Sequence, residues 1–138
     1  MSSFATEADV RLKFQLNDTT LAPSALITGS IEGAHAEILR FLDPAFNVLS
    51  PETALVMGET LLAGAHLFRS LASKDAFDQK QITVGGHRID AGKRFSALMT
   101  LASLAEQNAW YTLEPYLLER PSRALAEATD TTAVLGEE

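Results

Sequence analysis

A chain of 138 residues with 11 basic against 18 acidic side chains, a formal charge of −7 and no cysteine, is sized for one domain that buries roughly two thirds of its unfolded surface. That charge argues against an autonomous DNA-binding domain, which gains affinity by neutralising phosphates, and the absence of cysteine excludes disulfides, thiolate ligands and a thiol nucleophile. No apolar run approaches the ~18 residues of a membrane-spanning helix, and the opening residues lack a basic stretch followed by an apolar one, so we expect a soluble protein without a signal peptide.

Thr6 followed by Glu7, Ala8 and Asp9 predicts an N-cap with acids in the first turn of a short helix that carries Val10 and Phe14 on one edge and ends near Gln15. Leu16 to Ala22 is polar and turn-prone. Pro23 then enters a second helix whose apolar residues Ile27, Ile31, Ala34, Ile38 and Leu42 share a face, closed by Asp43-Pro44. Gly29 and Gly33 lie four apart within it, which is read either as a close backbone approach or as two tolerated glycines on an exposed face.

Ser50-Pro51-Glu52-Thr53 predicts the start of a third helix with serine as cap, running to about Ser73. Its apolar residues Leu55, Val56, Leu62, Ala65, Leu67, Phe68 and Leu71 form a surface broader than one partner helix covers, and some of it is expected to meet another copy. Gly58 and Gly64 place small residues at crossing points. In Gln81 to Asp90, the β-favouring Ile82, Val84 and Ile89 around Gly85-Gly86 predict a short β-hairpin that must pack on helices or pair with another chain.

From about Ala91 a long helix follows, with Phe95, Leu98, Met99, Ala102, Ala105, Ala109, Leu113 and Tyr116 on one stripe; the other helices should lie along this stripe. Pro115 should break it, with a joint near Thr112 to Glu114. Trp110 is expected in the core, whereas an exposed Tyr111 or Tyr116 would act as an interface anchor. The fold class is therefore mainly α: a bundle of about four helices, one hairpin before the last long helix, and a flexible tail. Residues 1–120 form the domain and 121–138 an extended or weakly ordered end.

Candidate chemistry is sparse. Glu32 and His35 have the i, i+3 spacing of carboxylate-bridged metal sites in helix bundles, and Glu59 with His66 on the third helix would have to complete such a site, yet their spacing of seven does not supply the second pair. That reading, a small helical metal-binding protein or enzyme, is the alternative to a structural one. GGHRIDAGKR has glycines and a lysine before a helix, but the spacing departs from a phosphate-binding loop and Lys93 is followed by Arg94 rather than a hydroxyl residue. Lys80, Arg88, Lys93 and Arg94 form the one locally basic region, read either as partner contacts or as a solvated face. A helix-turn-helix built from the first two helices would offer only Arg40 as a base for phosphate contacts. No set of residues points to a cofactor, and no membrane contact is expected.

The order of these features, an opening FATEADVRLKF, a second helix SIEGAHAEILRFLD, an alanine-rich third helix, a glycine-bearing hairpin, and a last helix with Ala109-Trp110 and Pro115-Tyr116, resembles the head-tail adaptor (head-completion) proteins of long-tailed bacteriophages. The resemblance covers roughly residues 4 to 120, and the acidic end is longer than its pattern demands. It implies a non-enzymatic structural protein of the virion neck: a ring, dodecameric in this family, between the portal and the stopper or tail, extending a channel that DNA traverses without specific binding. It also implies that Arg120, Pro121, Arg123 and Leu125 reach the portal. Val84, Gly85, Gly86, His87, Arg88 and Arg94 would contact neighbouring subunits or the stopper.

Overall fold

The computed structural model describes residues 3–48, 51–79, 85–119 and 121. It is mainly helical: α1 (Glu7–Phe14), α2 (Ser24–Leu39), α3 (Thr53–Gln79) and α4 (Gly85–Leu113), with 3-10 turns at Pro44–Phe46 and Glu114–Tyr116. The helix that organises the bundle is α3, not α4. It packs most extensively on α4, then on α2, then on α1, and from Leu55 to Phe68 nearly every side chain is buried. Most of the apolar breadth of α3 is therefore covered within the chain, with Met57 left exposed and Val56 half-buried.

Local signals set the first two helices. Thr6 and Asp9 form a reciprocal capping box, and Gln15 ends α1 in the left-handed conformation, φ 57°. Arg11 then fixes the connection to α2, its guanidinium donating to Glu7 and to the carbonyls of Leu16 and Ala22 at 2.9, 3.1 and 2.8 Å. On α2 the predicted face is the buried one: Ile27, Ile31, Ala34 and Ile38, with Leu42 just beyond. Helix α3 begins two residues later than Pro51 suggested, with the Glu52 carbonyl accepting from Leu55 and Val56.

Two glycines of α3 are crossing points. A Cβ at Gly58 would overlap the side chain of Leu113 on α4, and one at Gly64 would overlap the ring of Phe14 on α1. Both helices thus approach α3 at places where it has no side chain. Gly29 on α2 has nothing within 4 Å, and Gly33 makes an ordinary contact, 3.5 Å, with the His66 ring. Of the four spaced glycines only the α3 pair admits a close crossing.

The expected hairpin is absent among the described residues. From Gly85 the chain is helical, so Gly85, Gly86, His87 and Arg88 belong to the first turns of α4, while Val84 lies outside the described residues. Helix α3 continues six residues past Ser73, to Gln79, and α4 begins six before Ala91, so the two form a long antiparallel pair. A helix satisfies its own backbone groups, whereas a lone hairpin needs a sheet to join, and none is described.

The break at Pro115 falls where expected, since α4 ends at Leu113 and a 3-10 turn takes over. The segment beyond that turn is tied down. Leu42 and Leu117 form an isolated antiparallel bridge, with Asp43 N–H donating to Tyr116 O at 3.0 Å and Leu118 N–H to Phe41 O at 2.8 Å. Phe46 meets the Tyr116 ring edge-on, Phe41 meets Trp110, and the Tyr116 hydroxyl donates to Glu52 at 2.9 Å. Trp110 is buried as expected.

Candidate interaction surface and a buried polar pair

The four residues of the metal reading do not converge. Glu32 is exposed, His35 bonds Glu59, and His66 bonds Glu37 at 3.1 Å. Among the described residues no three His, Asp or Glu side chains are grouped to hold a metal ion.

The His35–Glu59 pair is instead a fastening inside the bundle. Glu59, fully buried at the middle of α3, receives the Ala5 backbone N–H on Oε2 at 2.8 Å and faces His35 Nδ1 with Oε1 at 2.6 Å. Phe4 packs edge-on against the His35 ring, centroids 4.8 Å apart. Burial pushes the Glu59 carboxyl above its ordinary range, while the hydrogen bonds from Ala5, His35 and Phe4 pull the other way. The residues preceding α1 are thereby held onto α2 and α3 at once.

A polar cleft of about 380 Å³ opens where α2, α3 and α4 meet, lined by Glu37, His66, Arg69, Ser70, Ser73 and Glu106. Its charges are already matched. Arg69 donates to Glu106 at 2.7 Å and His66 bonds Glu37 at 3.1 Å.

The outward face of α4 is different in kind. Between Phe95 and Leu113 the only charged residue is Glu106, and it is turned inward to Arg69. Every exposed position in that span is small, polar-neutral or apolar, and Ala97, Leu101, Leu104 and Tyr111 recur at spacings of four, three and seven along one side. Leu101 is 48% exposed, Leu104 52% and Tyr111 77%. In a chain that is 21% charged, a span of this length presents no exposed charge, and its exposed side mixes Leu101, Leu104 and Tyr111 with serine, threonine and amide side chains. The signal was present in the sequence, as the gap in charge from Phe95 to Leu113.

Of the residues expected to contact neighbours or the portal, Arg94 and Pro121 have described surroundings. Arg94 is exposed but binds Asp75 of its own chain at 2.6 Å, so it braces α4 on α3. Pro121 is buried, and Arg120, Arg123 and Leu125 lie outside the described residues. Tyr111 meets the condition set for an interface anchor, and half-buried Tyr116 does not. No family model matches the chain, and comparison with curated proteins and with solved structures finds no match. No described helix is long and apolar enough to cross a membrane.

Proposed function

We propose that the protein is a structural subunit that assembles with copies of itself through the outward face of α4, and that its assembly is the ring of a head-tail adaptor in a phage neck. The observation that carries the self-association reading is the uncharged, partly apolar face of α4. Copies of a chain with a charge of −7 repel one another, and a face free of charge is where they meet at least electrostatic cost. The adaptor reading adds the resemblance in the order of sequence features. Within it the ring, dodecameric by that likeness, sits between portal and stopper, and DNA passes without specific contacts. Pro121 is buried, so portal contact falls to Arg120, Arg123, Leu125 and the residues beyond.

Sedimentation velocity over a wide concentration range tests the self-association. The native chain should show a concentration-dependent rise in mass, and Leu101→Lys with Leu104→Lys should abolish it. A native chain that stays monomeric at the highest concentration overturns the reading. Addition of the portal separates the adaptor role from self-association in general: it should shift the native chain into a complex, and a chain that self-associates yet ignores the portal retains only the general reading.

A further inference from the structure

We infer that a hollow between α1 and α3 receives the outward face of α4 from a second copy of this chain, with Tyr111 as the side chain that enters it. This rests on the self-association reading and names the second surface that it requires.

The hollow measures about 190 Å³ and lies among Leu12, Val56 and Met57, with Asp9 and Lys13 from α1 at its border. An apolar cavity of roughly 150 Å³ accommodates a benzene ring, so the space suits one aromatic side chain. Leu12 is 74% exposed and Met57 39%, so the native fold leaves the apolar walls of the hollow wet. The one acid and one base at the border cancel, which matches the charge-free face of α4 and excludes a strongly charged occupant. Tyrosine brings an apolar body and a hydroxyl that the Lys13 ammonium can donate to at the border.

Position argues for a second copy rather than an unrelated partner. On α3, Gly58 faces Leu113 of α4, and Thr60, which lines the hollow, is about 200° further round the helix. The hollow therefore opens on the far side of α3 from α4, while the bare face of α4 points away from α3. Two copies can make this contact only once between them, and each pair retains a free face and a free hollow. Tyr111 and the hollow also share a level. Leu113 lies over Gly58, Tyr111 is about 3 Å along the axis from it, and Val56, Met57 and Thr60 bracket Gly58. Successive copies then stand side by side with little displacement along their helices, the condition for a head-to-tail arrangement that closes rather than climbs.

Complementation between two variants tests this. Leu104→Lys with Tyr111→Ala removes the face and leaves the hollow; Met57→Lys blocks the hollow and leaves the face. Each alone should self-associate on the order of thirtyfold more weakly than the native chain, the loss of one interface anchor. Mixed, they should form a one-to-one dimer and nothing larger. If Met57→Lys alone associates as the native chain does, α4 pairs with itself: the self-association reading survives and the hollow does not take part. A mixture that stays monomeric although both variants are folded by circular dichroism also overturns the inference. Should Met57→Lys not fold, Leu12→Lys, at a more exposed wall of the same hollow, takes its place. Because the chain contains no cysteine, Lys13→Cys and Asn108→Cys give a second measure. A short bismaleimide should join one variant to the other but neither to itself, and linkage of Asn108→Cys to itself alone counts against the hollow.

Discussion

Helices α3 and α4 are of similar length, 27 and 29 residues, and lie against each other, yet their surfaces are used in opposite ways. Through its middle α3 is enclosed by α1, α2 and α4, down to a buried carboxylate and two glycines that let its neighbours close in. Helix α4 buries one stripe, Ala102, Ala105, Ala109, Trp110 and Leu113, and leaves the opposite side neither covered nor charged. Apolar surface on the first is mostly covered by folding, Met57 being its exposed exception. On the second much of it is not, and that difference separates a helix enclosed by its neighbours from one with a bare side.

The contrast is sharpest if each helix is damaged in turn. Leu62→Ala, in the enclosed part of α3, should cost about 2–5 kcal/mol of unfolding free energy in chemical denaturation, as for other fully buried leucines. Next comes Gly58→Ala. The added methyl gains about 1 kcal/mol of helix propensity but overpacks fully buried Leu113 at about 1–3 kcal/mol, so a net loss of up to about 2 kcal/mol is expected. Gly29→Ala on α2, with open space at its Cβ, should instead stabilise by about 0.5–1 kcal/mol, and a loss there would break the assignment of close crossings to α3.

Glu59 offers a test in pH. Its carboxyl is raised above the ordinary 4.5, so the folded form holds the proton more firmly than the unfolded chain does. Its contribution to stability is then complete below 4.5 and lost as pH rises through the raised value. Glu59→Gln keeps an acceptor for Ala5 N–H and removes the titration. The native chain should therefore lose stability relative to this variant as pH climbs from 4.5 towards neutrality, and parallel profiles would show that burial is not what governs this carboxyl. The smallest effect belongs to α4. Leu104→Lys should leave the stability of the monomer within about 0.5 kcal/mol, and a larger loss would mean that the outward face supports its own fold.

Much of the helical frame was legible in the residues. The cap at Thr6, the buried face of α2, the break at Pro115 and the crossings at Gly58 and Gly64 all come from local chemistry or period. Gly85-Gly86 misled, because a turn signal is judged over a few residues while the pairing of two long helices is decided by everything they bury. The same limit applies to His35 and Glu59. Each was visible as a polar residue on a helix, but their separation of 24 positions holds no period, and only the crossing of α2 and α3 brings them to 2.6 Å. For α4 the buried stripe drew attention away from its reverse side, where the informative feature was the lack of charge rather than the presence of any residue.

The bridge between Leu42 and Leu117 bears on how the molecule carries load. Tension entering from the residues after Pro121 meets two main-chain hydrogen bonds and the Phe46–Tyr116 contact before it reaches the end of α4, and these pass it across to the segment that ends α2. A pull applied at the C-terminal end would thus be shared between two helices before α4 could unwind turn by turn.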